Sequence, residues 1–121
     1  MDQSFYNIQL SIFPKDLIST AIPVSNQFQS TITGYHYYQR VWKAQLGEVL
    51  ICAADPLNEY DPNAVKVMKD GKTVGHVAKE IAPTFRELLV VGKSITATVI
   101  GGRQNARGRG LEIPVTYKLE Q

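Results

Sequence analysis

Between Ala54 and Val67 the chain gathers carboxylates, amides, prolines and a tyrosine in one run, Asp55-Pro56-Leu57-Asn58-Glu59-Tyr60-Asp61-Pro62-Asn63. Each proline fixes φ, and Asn and Asp side chains bond nearby backbone, so the run is expected to form a rigid turn. It also presents hydrogen-bond acceptors beside an aromatic face, which is more chemistry than a plain connection needs. The acids Asp55, Glu59 and Asp61 are of the type that holds magnesium in nucleases. At turn positions the same groups serve as hydrogen-bond acceptors, and that reading is preferred. The chain has two histidines, His36 and His76, and no ligand pair at short zinc spacing. Its one cysteine, Cys52, lies in the apolar run Val49-Leu50-Ile51-Cys52-Ala53-Ala54, a poor setting for a reactive thiolate. No phosphate-cradling G-x-x-x-x-G-K-[ST] loop is present. No catalytic residue, cofactor or metal ligand is therefore assigned, and the chemistry is expected to be binding.

Four aromatics crowd the segment before that turn: Tyr35, Tyr37, Tyr38 and Trp42. As a continuing strand, the segment would send Tyr35 and Tyr37 to one face and Tyr38 to the other. Tyr35 and Trp42 are expected in the core. Tyr37, with Tyr60 in the turn, is expected to stack on a base, a contact worth ~1–3 kcal/mol. His76 and Lys79 stand three apart where a strand passes into a helix, so both can address one phosphate beside the N–H groups of the helix start. Asp61 discriminates among ligands. A carboxylate repels phosphate but accepts from a free sugar hydroxyl, so it favours a strand that ends over one that continues.

The net charge of +2 is too small to mark a nucleic-acid binder, but its distribution is uneven. From Lys93 to Lys118 the chain carries Lys93, Arg103, Arg107, Arg109 and Lys118 against the single acid Glu112. This suggests a local phosphate contact rather than a surface coated in positive charge.

At 121 residues, with 44% hydrophobic and 20% charged residues, the chain reads as one globular domain that needs no staples. Residues 1–26 are expected to be an arm or linker with a strand at Tyr6 to Phe13, and residues 27–121 the folded domain. Strands are expected at Gln27 to Tyr35 and Gly47 to Cys52, the second buried on both faces. A hairpin follows, with Ala64 to Lys69 and Thr73 to Val77 joined by Asp70-Gly71. Then come a short helical turn from Ala78, a helix from Pro83 to Val91 stopped by Gly92, and strands at Ser94 to Ile100 and Leu111 to Leu119. The glycine-rich stretch 101–110 between them is expected to be a long, mobile, basic hairpin loop. Together these specify a mainly β fold, a small SH3-like or OB-like antiparallel β-barrel with one or two short helices. No run reaches membrane-spanning length and no signal peptide is evident. The expected compartment is the nucleus in a eukaryote, otherwise the cytoplasm.

Three blocks, in order, resemble the HIRAN domain: Gly34-Tyr35-His36-Tyr37-Tyr38, the D-P-x-N-x-Y-D-x-N-A-x-K-V run from Asp55 to Val67, and Val74-Gly75-His76-Val77-Ala78-Lys79-Glu80. The resemblance spans roughly Gln27 to Tyr117. It implies a barrel that captures single-stranded DNA at a free 3′-hydroxyl, in repair or replication-fork processing. By that likeness Tyr37 and Tyr60 stack the terminal base, Asn58 lies near its edge and Asp61 holds the 3′-hydroxyl. Tyr38, His76 and Lys79 then grip the preceding phosphates. His36 stands where family members often carry arginine, and Leu111 falls near a late aromatic of the family. Arg103, Arg107 and Arg109 would contact the flanking strand. A helicase or chromatin-remodelling partner, or a fused domain of that kind, is the expected company. A barrel that grips an extended peptide in the same aromatic cleft is the alternative.

Overall fold

The computed structural model describes residues 26–106, 108 and 110–120. The arm before Asn26, with its expected strand at Tyr6 to Phe13, and the side chains of Arg107 and Arg109 lie outside the described residues. Seven strands and two short helices follow in the order β1 (Gln27–Thr33), α1 (Tyr35–Tyr38), β2 (Val49–Ala54), β3 (Val65–Lys69), β4 (Lys72–Val77), α2 (Ala82–Val90), β5 (Ser94–Val99), β6 (Gln104–Ala106) and β7 (Gly110–Glu120). Six of them run β1-β4-β3-β2-β5-β7, and a further β7–β1 pairing closes the antiparallel barrel. Closure removes the unpaired edges that an open sheet would expose. The long β7 makes this possible, because its first residues pair with β6 and the rest pair with β1 and β5 in overlapping stretches.

Alternation along the strands fills the barrel. Ile95, Ala97 and Val99 of β5 point inward with Ile113, Val115 and Tyr117 of β7 and Leu50 and Cys52 of β2. The expectation that β2 is buried on both faces is corrected: Val49 and Ile51 are exposed, so its apolar run is half-buried. β2 is flanked on both sides by strands, but nothing among the described residues covers its outer face. Helix α2 plugs one end of the barrel. Phe85 and Leu88 are fully buried, and the Phe85 ring meets Tyr117 edge-on at 5.0 Å. The helix ends as expected. Gly92, at φ 92°, donates to the Leu89 carbonyl at 3.1 Å while Lys93 donates to Leu88 at 3.0 Å, a Schellman cap. Burial pushes the Cys52 thiol up to about 12, so it is an inert core group. Among the described residues no helix is long and apolar enough to cross a membrane.

Three other local expectations change. The first strand stops at Thr33, because Gly34 turns left-handed at φ 78° and starts the single turn of α1. The helix begins at Ala82, one residue before Pro83, and residues 78–81 form a turn in which Ala78 accepts from both Ile81 and Ala82. The 101–110 hairpin loop contains a strand that was not expected: Gln104, Asn105 and Ala106 pair with Glu112, Leu111 and Gly110. Glu112, counted above with the basic segment, is buried and accepts from the Thr31 hydroxyl at 2.9 Å across the β1–β7 ladder.

Strands β3 and β4 form the expected hairpin, with Asp70 at φ 51° and Gly71 at φ 79° as its turn. On β4, Gly75 lets β1 cross closely. A Cβ there would collide with the Ile32 side chain and lie 3.0 Å from the Thr33 carbonyl oxygen. Because the neighbours are a packed side chain and backbone, Gly75→Ala is expected to destabilise the domain by about 1–3 kcal/mol. Thermal unfolding followed by circular dichroism should show a melting temperature lower by several degrees. An unchanged melting temperature would mean that β1 moves aside freely.

Candidate nucleic-acid interface

Asn58 shapes the acidic turn. Its Oδ1 accepts from the backbone N–H of Tyr60 at 2.8 Å and of Asp61 at 3.0 Å, and its Nδ2 donates to Asp55 Oδ2 at 3.1 Å. Asp61 continues the pattern, with Oδ1 accepting from the Asn63 N–H at 2.9 Å and its carbonyl from Ala64 at 3.0 Å. Asp55 anchors the start through its N–H to the Ala64 carbonyl at 2.9 Å. These interlocked Asx bonds hold the loop in one shape and throw the Tyr60 ring into solvent, 92% exposed. Asn58 is thus spent mainly on the turn, and one amide N–H is left for a ligand.

Across from the turn, α1 sets the other wall. Tyr35 is buried, stacks edge-on against Trp42 at 5.7 Å and donates its hydroxyl to the Trp42 carbonyl at 3.0 Å. The Trp42 indole in turn donates to Glu48 Oε1 at 3.0 Å. Tyr35 and Trp42 therefore lie in the core, as their positions in the sequence suggested. With Tyr35 anchored, one helical turn carries Tyr37 outward, 78% exposed, and leaves Tyr38 half-buried beside the His76 ring at 6.2 Å. A strand could not have made this arrangement, since alternation would have put Tyr37 on the Tyr35 side.

His76 sits on β4, where its carbonyl accepts from Thr33 Oγ1 at 3.1 Å. Its Nε2 is 3.3 Å from Asp55 Oδ2. Because a carboxylate only accepts, that nitrogen carries its proton toward Asp55, which fixes the ring and leaves Nδ1 for other contacts. Asp55 was read in the sequence as a turn acceptor in preference to a metal acid, and it is also the hub that joins the turn to β4. The Asn58 amide holds its carboxyl below the usual range against the opposing effect of burial, with the His76 hydrogen bond, the His76 charge and Lys66 adding to the lowering. The Tyr38 phenol is pushed up, first by burial and then by the Asp55 charge, so it stays a neutral donor.

The lowered Asp55 carboxyl has a consequence for pH. Its folded-state value lies below the unfolded one, so its contribution is present above the unfolded value near ~3.9 and is lost as pH falls through the folded value. Melting temperature measured from pH 6 to pH 2 should fall in the acid limb, and Asp55→Asn should flatten that limb while lowering stability at neutral pH. An identical acid limb in the variant would assign the loss to other carboxylates.

Between these walls opens a cleft of about 790 Å³. Its lining includes Tyr37, Tyr38, Asn58, Tyr60, Asp61, His76 and Lys79, with Thr33, Gly34, Ala64, Val77 and Ala82 as the floor and sides. Residues some forty positions apart in the chain thus face one space. His36 does not line this cleft. It lines an adjoining hollow of about 500 Å³ together with Gly108 and Gly110, while Tyr37 and Lys79 border both. Arg103 lines neither and instead donates to Gln39 Oε1 at 3.3 Å, past the end of α1. Lys79 precedes α2 by three residues, so its contribution is the exposed ammonium and not the helix terminus. Among the described residues no three of His, Cys, Asp and Glu converge as a metal site.

Chemically, the cleft offers two exposed phenol rings for flat apolar groups, a carboxylate oxygen for a donor, and an ammonium for an anion. A closed barrel carrying such a cleft on loops and one helical turn is a small β-barrel binding module. Comparison with protein-family models matches residues 25–118 to the HIRAN domain. The chain belongs to the HIRAN family, whose domains are nucleic-acid-binding modules. Its fold is similar to the HIRAN domain of human HLTF, with a TM-score of 0.65 and 25% identity over 78% of this chain and 74% of that one. It is also similar to a protein from Lactobacillus plantarum, with a TM-score of 0.55 and 19% identity over 77% of this chain and 92% of that one, a likeness of fold alone. No curated protein matches the sequence significantly.

Proposed function

We propose that this domain captures the end of a single DNA strand and prefers a free 3′-hydroxyl. The observation that carries the reading is the setting of Asp61. It shares the cleft with Tyr37, Tyr60 and Lys79, and its Oδ1 is already committed to the Asn63 N–H. Among the described residues Oδ2 has no partner, so it is the acceptor left for a donor brought by the ligand. An internal nucleotide brings an esterified 3′ oxygen and a phosphate, which that carboxylate repels. A terminal nucleotide brings a hydroxyl, which it accepts. Tyr37 and Tyr60 then cover the two faces available to the terminal base, while Lys79 and the Tyr38 phenol donate to the phosphate behind it and His76, beside them, adds an Nδ1 donor in its imidazolium form. Asn58, with one free amide N–H, reaches the base edge. Arg103 and its neighbours Arg107 and Arg109 meet the strand farther back. Such a module would deliver a helicase or remodelling partner to exposed ends in repair or at stalled forks.

An NMR titration of the domain with a short single strand ending in a free hydroxyl tests this reading. Shifts confined to residues 33–38, 55–64 and 76–79 support it. A strand that perturbs none of them would leave the cleft to an extended peptide gripped by the same tyrosines.

A further inference from the structure

Tyr37 is an exposed ring, so burial does not orient it, and on a one-turn helix its sequence neighbour His36 should point elsewhere, because adjacent helical side chains do not face each other. The two rings nevertheless lie with centroids 4.0 Å apart at an interplanar angle of 42°. The reason stands against the His36 ring, where Gly110 of the β6–β7 hairpin comes close. A Cβ built on Gly110 would lie 2.7 Å from both Cε1 and Nδ1 of His36. No side chain larger than hydrogen fits there while the imidazole keeps its place, and Gly110 adopts φ 79°, where a glycine is at ease. We propose that Gly110 is a positioning residue for base stacking. The hairpin backbone seats the His36 ring, and the His36 ring buttresses Tyr37 so that its outer face is presented to the ligand. This rests on the proposed end-binding function for its consequence in affinity, but not for its consequence in geometry. It gives the hairpin a part in the site through its contact with His36, in the hollow that His36, Tyr37 and Gly110 line together.

The test compares the whole chain with four variants, Gly110→Ala, Gly108→Ala, His36→Ala and the double variant H36A/G110A. Gly108 has a similar φ of 68° and open space where a Cβ would go, so Gly108→Ala carries comparable backbone strain without the collision. Melting temperatures establish that each variant is folded. In the free proteins, aromatic NMR signals of Tyr37 should move in Gly110→Ala, as they do in His36→Ala, and hold still in Gly108→Ala. With a short 3′-hydroxyl strand labelled at the terminal base, Gly110→Ala should weaken binding by about threefold to tenfold, a share of one stacking contact. In the His36→Ala background the same change should cost less than about twofold, since the ring it displaces is gone. Unmoved Tyr37 signals in Gly110→Ala, or a full penalty retained without His36, would overturn the proposal. If the unaltered chain binds no strand, the end-binding reading fails, and the ring signals alone decide the role of Gly110.

Discussion

Replacing Tyr37 and Tyr60 together by alanine is expected to lower affinity for a short 3′-hydroxyl strand by about 30-fold or more, at ~1–3 kcal/mol per stacked base. Each single replacement should account for part of that loss. Neither change should disturb the fold. Both rings are exposed, and the bonds that hold the 55–64 turn run through Asn58, Asp55 and the Tyr60 backbone, none of which the substitution touches. The contrast within one sequence block is informative. Tyr35 is two residues from Tyr37, but it is buried against Trp42, so Tyr35→Ala should unfold part of the barrel wall and lower the melting temperature instead. Fluorescence anisotropy with thermal unfolding on the same samples separates the two outcomes. Undiminished binding by the double variant would remove stacking from the mechanism.

Asp61→Asn is expected to erase discrimination between strand ends. The amide keeps an oxygen for the Asn63 N–H, so the turn should survive, while the charge that repels a phosphate and strengthens the bond to a hydroxyl is lost. A hydrogen bond to a charged group is worth about 1.5–3 kcal/mol, so the preference should shrink by roughly 10- to 100-fold. The change should come both as a loss for the hydroxyl strand and as a gain for the 3′-phosphorylated strand, whose repulsion disappears whether or not the amide finds a new partner. If the variant kept the preference of the unaltered domain, the acceptor would have to be sought elsewhere in the cleft.

How much of this was legible in the sequence depends on whether local or distant residues decide each feature. The 55–64 turn was readable because its own side chains bond its own backbone, and the β3–β4 hairpin because Asp70-Gly71 alone supplies two positive φ values. The barrel followed from alternation in β5 and β7. Helix α1 was missed because Tyr35 to Tyr38 have good strand propensity, and only the left-handed Gly34 together with the packing of Tyr35 on Trp42 turns them. A glycine ahead of an aromatic cluster was the signal available. The β6 strand was missed because glycines and arginines suggest a loop, whereas its pairing is imposed by β7. The role of Asp55 needed the third dimension, since His76 lies 21 positions away and reaches it only through the β3–β4 hairpin. His36 was grouped with the tyrosine pair it precedes, but it lines a separate hollow with Gly110.

The most direct measurement is isothermal titration of the domain with two strands identical except at the 3′ terminus, one with a free hydroxyl and one phosphorylated. The expected result is binding of the hydroxyl strand at least about tenfold tighter, the lower end of what one charge-assisted hydrogen bond supplies. Equal affinity for the two, in a domain that binds both, would contradict the reading of Asp61 as the acceptor that recognises a strand's end.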